Sequence, residues 1–173
     1  MTGLDAAEAI KGVLLAGINT LNADTQLVAS GFAFSAVAMP STTGVTDTYK
    51  FFKAYDPVKV FEGLTVAVIA GSDRVIQRMT TCVTEREFPI TIAVYLLGDG
   101  IKDPEKIRYA KAGAVRAITS LLSGTRSIAT NDGTLYALKM GDRNYGLGLK
   151  IQQGDFTVHV ATIEMTARYI SSE

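Results

Sequence analysis

Residues 64–100 read LTVAVIAGSDRVIQRMTTCVTEREFPITIAVYLLGDG. Three runs in this stretch, Thr65 to Ala70, Val75 to Thr84 and Pro89 to Leu96, are rich in β-branched residues and have strand-like lengths, which predicts strands. Gly71-Ser72-Asp73 and Glu85-Arg86-Glu87 are expected as turns or strand ends between them. Ile90 to Leu97 is apolar almost without interruption, the pattern of a strand covered on both faces, so its expected place is the centre of a sheet.

Downstream lies DPEKIRYAKAGAVRAITSLL, residues 103–122. Asp103 as N-cap, Pro104 in the first turn, Glu105 behind it and Gly124 as the stop predict a helix. Ile107, Ala110, Ala114, Val115, Ile118, Leu121 and Leu122 form its apolar stripe, with Lys102, Lys106, Lys111 and Arg116 toward solvent. Asn131-Asp132-Gly133, between Ile128 and Leu135, is a hairpin-turn signal. Gly141 to Gly154 holds four glycines and suggests a mobile loop or an extended arm. Phe156 to Ile170 reads as one long strand with a bulge near Ala161-Thr162, where its apolar phase shifts.

Upstream, Ile10, Val13, Leu14, Ile18 and Leu21 recur at helical spacing, which predicts a helix from Leu4 to Leu21 ending near Asn22 to Asp24. Phe32, Phe34 and Ala36 alternate as a short strand before Pro40. Gly44 to Gly63 concentrates Tyr49, Phe51, Phe52, Tyr55 and Phe61. A satellite core beneath a long connection is the favoured reading of these rings, an exposed partner-binding patch the alternative. The whole order is that of an α+β fold: a mixed or antiparallel sheet with two helices packed on it and an extra hairpin or arm. One domain over 1–173 is expected, with an extended connection at 40–63 and an arm at 125–154.

The 173 residues carry 17 Lys+Arg against 17 Asp+Glu, a formal charge of zero that argues against a dedicated nucleic-acid binder. The single cysteine, Cys82, cannot form an internal disulfide or a multi-cysteine zinc site, and it is expected as an inert, half-buried thiol in a strand. No apolar run approaches the ~18 residues of a membrane span, and the N-terminus lacks the features of a signal peptide, so a cytoplasmically made, membrane-free protein is expected.

Catalytic arrangements are sparse. His159, the only histidine, falls in the last predicted strand, where a structural role outweighs that of a general base. No G-x-S-x-G occurs, and Gly71-Ser72-Asp73 lacks its flanking glycines. Asp99, Asp103 and Glu105 around Gly98 and Gly100 lack calcium-loop spacing. Gly146-Leu147-Gly148 has no strand–helix context, and no G-K-[ST] follows it. The residues therefore imply no cofactor, no metal and no enzymatic activity. Arg74, Arg78 and Arg86 share a strand parity, which suits either a basic subunit contact or a solvated sheet face.

The first helix, the block of residues 64–100, the capped helix of 103–122 and the closing strand FTVHVATIEMTARYI together resemble the tail terminator proteins of long-tailed phages. The likeness lies in an arginine-bearing strand leading into an apolar one, a short turn, one amphipathic helix and a final strand. It covers about Leu64 to Tyr169 plus the first helix. The connection from Ser41 to Phe61 and the arm from Thr125 to Gly154 are longer than a minimal member needs and also suit a related neck or tail-completion protein.

The resemblance implies a virion structural protein that forms a ring of its own copies, usually a hexamer. Such a ring docks on the last ring of tail tube protein, halts tube polymerisation and offers its other face to the head–neck connector. It implies assembly in the host cytoplasm and a place in the tail–neck region of the virion, with DNA only passing through the lumen. Arg74, Arg78, Arg86, Gly100, Lys102, Asp142, Arg143 and Tyr145 are the expected interface residues, because edge strands and protruding loops supply heterologous ring contacts. Other readings are a tail tube subunit or another neck or head-completion protein. From a different class comes a small enzyme or ligand-binding domain using Asp99, Asp103, His159 and the glycine-rich arm.

Overall fold

The computed structural model describes residues 1–34, 41–43, 64–97, 103–145, 150–153 and 156–172. Its helices are α1 Gly3–Ala16, α2 Ile18–Asn22, α3 Thr25–Ser30 and α4 Pro104–Ser123. Its strands are β1 Ser41–Thr43, β2 Leu64–Ala70, β3 Arg74–Arg78, β4 Val83–Leu97, β5 Ser127–Thr130, β6 Gly133–Asn144, β7 Lys150–Gln153 and β8 Phe156–Ser172. The fold is α+β, as expected. One sheet runs in the order β1-β2-β4-β8-β6-β5, with β3 also paired to β4 and β7 to β8. Only the β1–β2 pair is parallel among these strands.

The spine is an antiparallel ladder between β4 and β8, unbroken from Val83↔Ser172 to Leu97↔Val158. The bulge expected near Ala161 is therefore not in β8. The register shifts lie in its neighbour β6, between Tyr136 and Lys139 and between Met140 and Arg143. There Ala137 is forced to φ 47°, a conformation costly for any residue with a Cβ.

Ile90, Ile92, Val94 and Leu96 of β4 and Ala161, Ile163, Met165, Ala167 and Tyr169 of β8 face α1 and α4, forming the core with Ile10, Leu14, Ala114, Val115, Ile118 and Leu122. The alternate residues Ala67, Ile69, Ala93, Tyr95 and Val160 belong to the opposite face, yet each is at most 1% exposed. This end of β4 is thus covered on both sides, as its apolar run requires.

Glu85-Arg86-Glu87 is no turn. Those residues lie within β4, paired to β3 and β8, and the chain reverses instead at Met79–Cys82, where Met79 N–H donates to Val83 O at 2.9 Å. Charge suggested a loop, but each of the three side chains finds an opposite charge on a neighbouring strand or its approach. Cys82 accordingly sits exposed in a hairpin loop, not half-buried in a strand.

β2 and β3 run along the same edge of β4 and are separated at Gly71–Asp73, opposite Pro89. Gly71 N–H donates to Pro89 O at 2.8 Å. In an antiparallel ladder the N–H and C=O of one residue point the same way, so the donor that proline lacks would have faced this interruption.

α4 begins as predicted: Asp103 Oδ1 accepts from Glu105 N–H at 2.9 Å, with Pro104 in the first turn. The first helix is shorter than predicted, because the chain bends at Gly17, where a Cβ would lie 2.6 Å from Leu121 Cδ2. Asp24 opens a further short helix instead of only ending one. Among the described residues the two expected helices are therefore four.

Phe34 forms a parallel bridge to Leu64, while Ala36 lies outside the described residues. So do 44–63 with their aromatic side chains, Asp99, Gly146 and Gly148. The expected arm after Gly141 is largely sheet: β6 continues to Asn144, and β7 pairs with β8. The hairpin at Asn131-Asp132 joins Thr130 to Gly133 as predicted.

Candidate assembly surfaces

At one end of the β4–β8 ladder a three-stranded arm is formed by β3 with the start of β4 and the end of β8. Every residue of β3 is exposed, and β3 pairs only with β4 among the described strands. Val75, Ile76 and Met79 on this hairpin and Ile170 on β8 are four large apolar side chains left in water, Ile170 at 51% exposure. An edge strand carrying such residues on both faces is a surface another chain can cover.

The arm's charges other than Arg78 are paired internally. In one cross-strand row, Arg74 of β3, Glu87 of β4, Arg168 of β8 and Tyr136 of β6 are successive partners. Arg74 Nη2 lies 2.7 Å from Glu87 Oε1, Arg168 Nε 3.3 Å from Glu87 Oε2, and Arg168 Nη1 3.4 Å from Glu85 Oε1. Tyr136 OH donates to Glu85 Oε1 at 2.9 Å. The Arg74 guanidinium, helped by Arg168, holds the Glu87 carboxyl below its ordinary range although burial opposes the shift.

On the other face Arg86 Nε pairs with Asp73, which also accepts from Tyr169 OH at 2.6 Å. The Tyr169 ring stacks on Phe88 with centroids 5.1 Å apart. Its phenol is pushed up to about 12 by burial first and by its hydrogen bond to Asp73 second. The Arg86 hydrogen bond holds the Asp73 carboxyl below its ordinary range.

The three arginines thus do not make one basic face. Arg74 belongs to the outer face and Arg86 to the core-facing one, since Arg86 is opposite Val75 in the register. Arg78 is exposed and makes no ion pair with the described residues. Asp142, Arg143 and Tyr145 are exposed at and just after the end of β6, while Gly100 and Lys102 lie outside the described residues.

At the other end of the ladder, near His159↔Leu96, a cleft of about 560 Å³ is lined by Pro104, Ile107, Arg108, Lys111, Ala112, Tyr145 and His159. Lys111 does not project into solvent as its helical position suggested. It is half-buried and donates to Tyr145 O at 2.7 Å, with burial lowering its pKa. Among the described residues no acidic side chain lines this cleft, Asp103 caps α4, and Asp99 lies outside the described residues. Among those residues no group of His, Cys, Asp and Glu could hold a metal ion, and no helix is long and apolar enough to cross a membrane.

Sequence reasoning missed Glu87, Arg168 and Tyr136 as members of one cross-strand row with Arg74, because that row exists only once three strand registers are set. It also missed the apolar set Val75, Ile76, Met79 and Ile170. The one available signal was a hydrophobic pair, Val75-Ile76, that no single sheet face can bury.

No protein-family model matches this chain, and no curated protein does so. Among solved structures, it is similar to a chain of the virion of a native gene transfer agent particle, at 17% identity and a TM-score of 0.42, over 95% of this chain and 98% of that one.

Proposed function

We propose that this chain is a virion structural protein, a phage tail terminator that forms a ring on the end of the tail tube and has no catalytic role. The observation that carries the reading is the arm. Apart from Arg78, its charges are paired within the chain, while Val75, Ile76, Met79 and Ile170 stay exposed on an edge strand and its neighbour. That combination favours a permanent, mostly apolar contact over electrostatic capture of nucleic acid or of a charged small substrate. The order helix, strands, capped helix and long closing strand, on which the resemblance to tail terminators rests, supports it too. Termination follows when one ring face matches the tube end and the other lacks the surface that recruits the next tube ring.

The test is the length distribution of tubes assembled from the cognate tube protein with and without this chain, read by negative-stain electron microscopy. Shorter, uniform tubes carrying an extra ring at one end are expected. Unchanged tubes with bare ends would overturn the terminator reading, and long tubes grown from this protein alone would make it a tube subunit.

A further inference from the structure

We propose that the arm is a hinged strap that closes onto the outer face of the sheet, turning about one level of the β4–β8 ladder. That level is Phe88↔Ala167 and Pro89↔Thr166. Along the free flank of β4, β2 ends at Ala70↔Ile90 and β3 starts at Arg74↔Glu87, so between them only the Gly71 hydrogen bond to Pro89 remains. Along the other flank of β8, β6 slips register between Tyr136↔Arg168 and Lys139↔Thr166, at the strained Ala137. Both neighbours break at the same height, and among the described strands only β4 and β8 cross it. A two-stranded ribbon twists more freely than a wider sheet, and the ends of elements are where hinges absorb rotation.

The arm carries its ion pairs with it. Arg74, Glu85, Glu87 and Arg168 pair among themselves, and Arg86 pairs with Asp73 at the root of β3. Tyr136 is a latch from outside the arm, its OH donating to Glu85 Oε1 at 2.9 Å. It is held in the body, because Leu135 beside it is buried and its hairpin reaches the start of α1, where a Cβ on Gly133 would lie 3.6 Å from Met1 Cε.

Room for closure lies on the outer side. A hollow of about 420 Å³ has Arg74 and Arg168 on its arm wall and Lys139, Gly141, Glu164 and Thr166 on its body wall. The core-facing side offers less, about 330 Å³, with Met1, Thr2 and Gly3 standing against Phe88. Lys139 and Glu164 form no ion pair with the described residues, and Glu164 accepts a hydrogen bond from Thr91 at 3.2 Å. On closure Glu164 approaches Arg74 and Arg168, and Lys139 approaches Glu87, so the alternating row meets an opposite charge of each sign. Val75, Ile76, Met79 and Ile170 ride on the strap, and its angle sets where they point.

The test uses the free protein, with nitroxide labels on the exposed native Cys82 at the arm tip and on Lys139→Cys, read by pulsed electron spin resonance. The two Cα atoms are roughly 25 Å apart in the open form, from strand rise and spacing. A second, shorter population is expected, and Tyr136→Phe should raise its share at least about twofold by removing the latch. A body pair, Lys106→Cys with Lys139→Cys in a Cys82→Ser background, should keep one distance throughout. A single narrow arm distance with and without Tyr136→Phe would overturn the hinge, and so would equal broadening of the body pair. The terminator reading stands or falls separately: a moving arm on a chain that leaves tubes unchanged keeps the hinge and ends that reading, and a fixed arm on a chain that caps tubes does the reverse.

Discussion

Asp24 and Arg116, 92 residues apart in sequence, are joined by two hydrogen bonds, Arg116 Nε to Asp24 Oδ2 at 2.8 Å and Nη2 to Oδ1 at 2.9 Å. The same Oδ1 accepts from the N–H groups of Gln26 and Leu27, capping α3. One carboxylate therefore starts a short helix and fastens it to α4. Burial opposes its ionisation, but the arginine and the two backbone donors outweigh that and lower its pKa.

Asp24→Ala is expected to cost about 2–3 kcal/mol, combining a lost cap with a lost charge-assisted pair. Asp24→Asn keeps an acceptor for the cap and should cost about half as much. Arg116→Ala, whose side chain is half exposed, should cost about 1 kcal/mol. Urea denaturation of the three variants checks the ranking, and a larger loss for Arg116→Ala than for Asp24→Ala would refute it.

Gly113 of α4 is where α3 comes closest. A Cβ there would lie 2.7 Å from Leu27 N and 3.2 Å from Leu27 Cα, against backbone that cannot rotate away. Gly113→Ala is expected to destabilise by about 1–3 kcal/mol although alanine is the better helix former. A melting temperature equal to or above wild type would show that α3 shifts freely.

Acid should loosen the arm. Asp73 and Glu87 both have folded pKa values below their ordinary ones, so each contributes stability that is fully present above the unfolded value near 4 and is lost as pH falls through the folded value. Stability measured from pH 6 down to pH 2 should fall, and Glu87→Gln should flatten part of that slope while lowering stability at pH 6. A slope unchanged in both Glu87→Gln and Asp73→Asn would refute the assignment.

Alkali gives the opposite sign. Tyr169 is raised to about 12, so its contribution is fully present below the ordinary tyrosine value near 10 and is lost as pH rises from there through about 12. The absorbance rise of tyrosinate should include one late phenol that Tyr169→Phe removes. All phenols ionising together near 10 would count against the Asp73–Tyr169 hydrogen bond.

Legibility in the sequence followed the range of the interaction. α4 and the Asn131-Asp132 hairpin were readable because Asp103, Pro104, Gly124 and Gly133 act within a few residues of themselves. β2, β4 and β8 were readable from composition. The reversal at Met79–Cys82 was not, since Thr80-Thr81-Cys82 carries no glycine, proline or asparagine, whereas Glu85-Arg86-Glu87 looked polar enough to turn. Their charges are cancelled by Arg74, Asp73 and Arg168, up to 83 residues away. α3 hid behind a six-residue length and an Asp24 whose second partner is on α4. Of the candidate contacts, Asp142, Arg143 and Tyr145 are exposed, whereas the arginine set divides between two faces that only the strand registers define.

The β4–β8 ladder also governs when this molecule can exist. Its paired residues are separated by 61 positions at Leu97↔Val158 and by 89 at Val83↔Ser172. Every strand hydrogen-bonded to β8 leaves the ribosome before it. Until β8 arrives, β4 has one flank open and β6 has no spine to join, so the nascent chain holds its strands waiting and its folding must be slow for its size. The arm and the cleft, built at the two ends of that late strand, come into being together. A half-made chain therefore carries neither feature complete.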